Sequence, residues 1–500
     1  MKLITFRFLT CMLLWGMVNQ CAAQTTTSVI AGDFPDPTVI ATSKGYYAAG
    51  TSSEWAPHYP VYHSTNLKDW KQVGYVFDKA PEWTAGSFWA PEYYHINKTY
   101  YIYYTARRKS DRVSCIGVAT SNYPDHGFVD RGIIIDHGKE AIDPFVYNDN
   151  GQLYISFKAY GLDNRPIELL ACKLSADGLK AEGEMFSLLK DDKGKGMEGQ
   201  SILKHGKYYY LFYSAGGCCG IRCSYHIKVA RATSFAGPYE KNESEELLKP
   251  APGWKCSGHG TFVKNAAGQY YYLCHAYNER SETLTGREGM LSTLTWSKNN
   301  SWPAMKMVAI SRPLPNIHDN FTTNKPAPYW QYDYHNSTPV VKQGNGKLSL
   351  SGTVSEKNNA GIIYGVRPVS DNFDMTTTVS DSNEAIKGLA FYGDANAALG
   401  VGTSGKQVKL WVVKDGRFNV IDSVALTSDT PVKLKLSMAP DRTCKAYYSV
   451  KDQDWKEMYA GKNIPVDALP QWDRAQRIGL FFKGKATESA QFSSFDIVNK

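Results

Sequence analysis

From Asp36 to the tyrosines at 270–272 the chain repeats one pattern five times: a small polar or acidic step, a short apolar run, a turn, and a tyrosine-rich strand. The copies read DPTVIATSKGYY, APEYYHINKTYY, DPFVYNDNGQLY, EGQSILKHGKYYY and HGTFVKNAAGQYYY. Their lead residues Asp36, Ala90, Asp143, Glu198 and His259 stand 54, 53, 55 and 61 positions apart. Each interval holds several short strands, and a period of about fifty predicts a β-propeller. Five copies predict five blades between Ser28 and Pro315. The ring is expected to close where the segment near Ser28 meets Met290–Trp296. A propeller turns matching positions toward one axis, and three of the five lead residues are carboxylic acids.

With 500 residues the chain has room for two or three domains. The fold class read from its pattern is all-β. The stretch SRPLPNIHDNFTTNKPAP carries four prolines and few strand signals, so it reads as a linker. Beyond it KLSLSGTV, FDMTTTV, QVKLWVV, VKLKLSM and QFSSFDIV alternate apolar and polar residues at strand length, as in a β-sandwich. The expected plan is a signal peptide at 1–23, a propeller at 24–315, a linker at 316–328, and a lectin-like, jelly-roll sandwich at 329–500.

Lys2 and Arg7 open the first 23 residues, Phe8 to Val18 is mostly apolar, and Cys21-Ala22-Ala23 offers small residues for cleavage. That is the layout of a secretory signal. It predicts a mature chain starting at Gln24 in the periplasm or outside the cell. Lipid anchoring at Cys21 is the second reading, disfavoured by Asn19-Gln20. No later stretch is long and apolar enough to span a bilayer. Removing Lys2 and Arg7 takes the formal charge from +8 to +6. No basic run interleaved with aromatics points to a nucleic acid partner. Of the eight remaining cysteines, Cys218, Cys219, Cys223 and Cys256 cluster near a Gly-rich loop. In an oxidising compartment a disulfide among them is favoured over a metal site, since no second paired-cysteine arm is present.

Hydrolysis of a glycosidic bond takes two carboxyl groups, one protonating the leaving oxygen and one acting on water or on the sugar. Asp36, Asp143 and Glu198 at matching repeat positions would face one pocket. Three carboxylates so close repel, so at least one is expected to keep its proton near neutral pH. A single Asp-Pro step also serves turns, where the carboxylate accepts backbone hydrogen bonds. Three acids in register weigh toward a cluster.

PDPT at 35–38, WAPE at 89–92, IDPF at 142–145, MEG at 197–199 and GHG at 258–260 together resemble the signature of glycoside hydrolase family 43, and GRE at 286–288 resembles a further substrate-contacting motif. The resemblance runs from about residue 33 to residue 303. It implies an inverting, five-bladed hydrolase with Asp36 as general base, Glu198 as general acid, and Asp143 orienting Glu198 and raising its pKa. It implies that Arg287 contacts a sugar hydroxyl and reaches Asp143. It also implies that His259 helps hold a calcium ion through water; the other reading is a buried histidine satisfied by hydrogen bonds. Trp55, Trp83, Phe88 and Trp89 follow the first two repeats closely, and each is a candidate sugar platform or a packing residue between blades. Trp330 and Trp411 are weighed the same way in the second module.

The expected activity is release of a terminal xylose or arabinofuranose from plant cell-wall polysaccharide or oligosaccharide. The rivals are a galactose-releasing member, a non-catalytic sugar-binding propeller, and a retaining sucrose- or fructan-cleaving hydrolase. The last lacks its implied Asn-Asp-Pro and Glu-Cys motifs here. Oligomeric state is not readable from the sequence.

Overall fold

Turn chemistry and apolar alternation divide the first three hundred residues into hairpins. In the computed structural model, which describes residues 25–500 apart from 244–245, 298–301, 428–430, 452, 465, 467–468 and 470–473, these hairpins form five four-stranded antiparallel sheets. The segment expected to be a signal peptide, with Cys21, lies outside the described residues. The first strands of the five sheets are Thr38–Thr42, Trp89–Ile96, Ala141–Asp149, Met197–His205 and Trp254–Lys264. Asn150 and Gly151 take φ of 52° and 100°, the conformation a two-residue hairpin turn requires, and link Ala141–Asp149 to Gln152–Ala159.

Each first strand touches the first strand of the next sheet, and the fifth touches the first, so the five form a closed ring. Tyrosines and aliphatics pack between sheets. Tyr101, Tyr103, Ile116 and Val118 of the second sheet meet Val146, Ile155 and Phe157 of the third. Each such buried side chain contributes about 1.5–3 kcal/mol. The seam between first and last sheets is filled by Val39, Ala48 and Tyr62 against Val263, Leu273 and Leu291, with Val29 and Ile30 inserted. The expected closing pairing is a single bridge, Ile30 with Gly289, together with Thr25–Thr26 pairing Arg312–Pro313.

The remainder forms an eight-stranded and a six-stranded antiparallel sheet. Phe373–Val379 and Val432–Met438 alternate buried and more exposed residues, and their inward side chains share one core with Leu389, Leu399, Ile478 and Leu480 of the facing sheet. The segment 316–328 is not a free linker. Ile317–Asp319 pairs with Ala490–Asn499 and Phe321 is fully buried, because its apolar residues reach the core despite the prolines around them. The two modules also share a strand pair, Trp55–Ala56 with Tyr332–Asp333. Among the described residues no helix is long and apolar enough to cross a membrane.

Candidate active site

The register of the first hairpin slips at one place in sheets two to five: between Trp89 and Glu92, between Ile142 and Phe145, between Glu198 and Ser201, and around Gly258–Gly260. Such a bulge bends the strand and re-aims its side chains. One residue at each slip takes a left-handed φ: Ala90 at 40°, Asp143 at 59°, Gly199 at 58° and His259 at 37°. Asp36, at 50°, holds the same place just ahead of Thr38–Thr42. Left-handed backbone is uncommon for side chains other than glycine and collects at functional sites. The fourth repeat is therefore led by Gly199, not Glu198. Glu198 sits one residue earlier, at the place Trp89 holds in its own strand. A Cβ on Gly199 would lie 2.7 Å from Cγ of His259, so this glycine leaves room for the imidazole.

Asp36 is almost fully buried and fully partnered. Its Oδ2 accepts from Thr51 Oγ1 at 2.7 Å, and its Oδ1 accepts from Arg287 Nη1 at 3.0 Å. Its backbone N–H donates to His275 Nδ1 at 3.1 Å. Burial raises the carboxyl's pKa, but Arg287, His259, His275 and the Thr51 hydrogen bond outweigh it and hold Asp36 at about 2. His275 is itself kept neutral, first by burial and then by Arg287.

His259 joins two of the acids. Its Nδ1 lies 3.4 Å from Asp36 Oδ1 and 3.7 Å from Asp143 Oδ2, and its backbone N–H donates to Ser214 Oγ at 2.8 Å. Asp143 Oδ2 accepts the N–H of Gly199 at 3.0 Å, which ties it to the residue after Glu198. The Asp143 N–H donates to Thr105 Oγ1 at 3.1 Å, and its carbonyl accepts from Gln200 Nε2 at 2.6 Å. Glu198 accepts from Lys158 Nζ at 2.8 Å and from Tyr225 O–H at 3.1 Å.

Of the three carboxyls, the one pushed upward is that of Asp143. Burial, the largest influence, and the charges of Glu198 and Asp36 push it up to about 7 against the pull of His259 and Lys158. Burial also raises Glu198, but the Lys158 charge and hydrogen bond prevail and leave it below the usual carboxylate value. In the free protein the Lys158 cation, standing against Glu198, outweighs the carboxylates around it.

Several expectations about the surrounding residues change. Arg287 pairs with Asp36 rather than Asp143. Phe88 is fully buried and stacks on His58 with centroids 3.6 Å apart, and Trp55 is 2% exposed, covered by the second module; neither can meet a sugar. Trp330 and Trp411 are buried in the sandwich. Trp83, in the segment ahead of Trp89–Ile96, is half-buried and packs on Tyr104 and Gly117 of the second sheet. Trp89 is half-buried, with the Arg107 guanidinium 5.3 Å from its ring. It stands one residue before Ala90, as Glu198 stands one residue before Gly199. Around His259 the nearest carboxylate oxygens already serve Arg287 and Gly199. Calcium takes roughly six to eight oxygen ligands. These side chains do not fit a directly ligated calcium, whereas the resemblance implies that His259 holds the ion through water; among the described residues no three His, Cys, Asp or Glu side chains group as a metal site.

Lys158, Glu140, Tyr225, His275 and Thr51 were not singled out by the sequence pattern. Lys158 could have been: it is a lone charge inside the apolar strand Gln152–Ala159. Tyr225 is placed by the cysteine loop. Cys223 bonds to Cys256, three residues before His259, and Cys218 bonds to its neighbour Cys219, so the expected disulfide is two disulfides.

Two family models cover most of the chain. The model of glycosyl hydrolases family 43 matches residues 25–303, and that of the β-xylosidase C-terminal concanavalin A-like domain matches 318–497. An extracellular exo-α-(1→5)-L-arabinofuranosidase of Cellvibrio japonicus is 28% identical over 310 residues, 54% of this chain and 86% of that protein. An extracellular endo-α-(1→5)-L-arabinanase of Bacillus subtilis is 25% identical over 289 residues, with the same two coverages of 54% and 86%. Among solved structures, a xylan β-1,4-xylosidase from Bacillus halodurans superimposes with a TM-score of 0.81 at 20% identity, over 94% of this chain and 99% of that one. That last likeness is one of fold. The ring of five sheets with its acid cluster and the match across more than half the length agree: the chain belongs to glycosyl hydrolase family 43.

Proposed function

We propose that this protein is a secreted, inverting exo-glycosidase that removes a terminal pentose, arabinofuranose or xylose, from plant cell-wall polysaccharide or its oligosaccharides. We read its ring of sheets as a five-bladed β-propeller. The observation that carries the catalytic reading is the convergence of Asp36 and Asp143 on His259, both on left-handed positions, with Glu198 beside Gly199, which packs against the same imidazole.

Asp36, held in its ionised form by Arg287 and the histidines beside it, takes a proton from water as the water oxygen bonds to the anomeric carbon. Glu198 gives a proton to the leaving oxygen as the glycosidic C–O bond breaks, and the anomeric configuration inverts. Glu198 must first gain that proton. A neutral sugar laid over its exposed edge desolvates it and disfavours its charge, which opposes Lys158 and moves the pKa toward the working range. Asp143 grips the backbone at Gly199 and so aims Glu198. Trp89 supplies an apolar face for the ring.

Arabinofuranose is supported by the Cellvibrio relative, xylose by the C-terminal module model. The Bacillus relative supports a second reading, internal cleavage of arabinan. A panel of aryl pentosides and hexosides, with product sizing on arabinan and xylan, separates them. Release of single pentoses, with the inverted anomer first by proton NMR, is expected. Glu198→Ala should lose natural linkages yet spare substrates with good leaving groups, and Asp36→Ala should lose both unless a small anion is added. Wild-type turnover in Asp36→Ala would defeat this assignment.

A further inference from the structure

The second module reaches the acid cluster through buried charge. Arg477 opens the strand Arg477–Lys483 of the six-stranded sheet and is 1% exposed. Its Nη1 lies 3.5 Å from Asp33 Oδ2, its Nε donates to Gln331 Oε1 at 2.9 Å, and its guanidinium sits 4.8 Å from the ring of Trp55. Asp33 belongs to the first module, three residues before Asp36. Its Oδ1 accepts the backbone N–H of Arg287 at 3.3 Å, and its Oδ2 accepts that of Ala475 at 3.4 Å. Arg287 in turn donates to Asp36 at 3.0 Å.

The three segments meet at Gly286, whose φ is 71°. A Cβ there would stand 2.4 Å from Asp33 Oδ1 and 2.8 Å from the Ala475 methyl, so only glycine allows this close approach. Trp55 locks the same junction by donating to the Ala475 carbonyl at 3.1 Å. A second sandwich residue, Arg367, donates to the Asp33 carbonyl at 3.3 Å.

We propose that Arg477 and Asp33 are positioning residues for the reaction: Arg477, from the sandwich, fixes Asp33, which fixes the backbone of Arg287 and thereby the guanidinium that pairs with Asp36. The sandwich then completes the acid site from behind rather than by touching substrate. A buried guanidinium is an apt part for this, since its fixed fork and permanent charge hold one geometry. Losing it leaves the Asp33 carboxylate buried without its charge partner, and the Arg287 backbone with a displaced anchor. Asp36 would lose the close cation that chiefly offsets its burial, and its base form would be reached only at higher pH.

The inference rests on Asp36 being the general base. Its test uses the full-length protein as Arg477→Met, Arg477→Lys and Asp33→Asn. Tyr75→Phe, which removes one hydrogen bond to the Trp330 carbonyl at the same module boundary, serves as control. Melting temperature and the pH profile of kcat/KM on an aryl glycoside are measured for each. Arg477→Met is expected to lower kcat/KM about ten- to a hundredfold and to move the acidic limb upward by about one pH unit. Asp33→Asn should move it the same way by less, and Arg477→Lys should recover part of the loss. Tyr75→Phe should leave the limb in place. If Arg477→Met does not fold, Asp33→Asn and Arg477→Lys decide on the same readout. Lower melting with an unmoved acidic limb would overturn the inference. Should Asp36→Ala prove inactive while that limb stays unmoved, only this inference fails; an active Asp36→Ala removes the base assignment itself.

Discussion

Lys158 Nζ lies 2.8 Å from Glu198 Oε2 and 3.6 Å from Glu140 Oε1, so one half-buried ammonium is shared by two carboxylates. The pairing sets opposite expectations for two variants. Lys158→Met removes the cation that lowers Glu198, and the alkaline limb of the pH profile should move upward by about one unit. Glu140→Gln leaves the ammonium to Glu198 alone, and the same limb should move downward. The pH dependence of kcat/KM for both proteins checks this. Shifts in the same direction would show that the shared cation does not govern the acid.

Gly199→Ala places a methyl group 2.7 Å from Cγ of His259 on a residue at φ 58°. The strained backbone costs about 1–2 kcal/mol. The displaced imidazole disturbs both Asp36 and Asp143. Activity should fall about ten- to a hundredfold, well beyond what the loss in melting temperature explains. Steady-state kinetics beside a thermal melt check it.

Glu92 is buried, accepts from Thr38 Oγ1 at 2.8 Å, and is raised by burial to about 8. A carboxyl raised in the folded state stabilises fully below its unfolded pKa, and that contribution is lost as pH rises through the folded value. The window runs from about 4.5 to about 8. Glu92→Gln keeps the shape and removes the titration, so its melting temperature should decline less than the wild type's across that window. Parallel curves would count against the burial argument.

Several groups in this protein could not be read from the repeats, for reasons that particular residues make plain. The pattern located the five sheets because each copy carries its own apolar run and turn, and it marked Asp36 and Asp143, the residues that take the left-handed φ in their copies. It misread the fourth copy by one residue, since only the φ of Gly199 shows which residue occupies the bulge. Lys158 stayed hidden because it lies in a second strand, where no repeat position marks it. Trp55 and Phe88 looked available to sugar because nothing local reveals that the sandwich and His58 cover them. Residues 316–328 looked like a linker because prolines dominate, while Phe321 is buried by partners distant in sequence.

The disulfides differ in the chain they enclose. Cys223–Cys256 spans 33 positions, and Cys218–Cys219 spans one. Loop-closure entropy assigns the first about 2–4 kcal/mol and the second almost none. Cys223→Ala with Cys256→Ala should melt markedly earlier and lose activity through Tyr225. Cys218→Ser with Cys219→Ser should melt near the wild type. Denaturant titrations of the two double variants make the comparison.

Trp55–Ala56 hydrogen-bonds as a strand with Tyr332–Asp333, so the two halves are stitched by main chain as well as by side chains. Cutting near residue 316 and grafting another carbohydrate module in its place would expose that edge and unseat Ala475 from behind the arginine. Inheritance of such a pair is expected to be joint, and a designer who wants new specificity will do better to keep the two halves together than to exchange one.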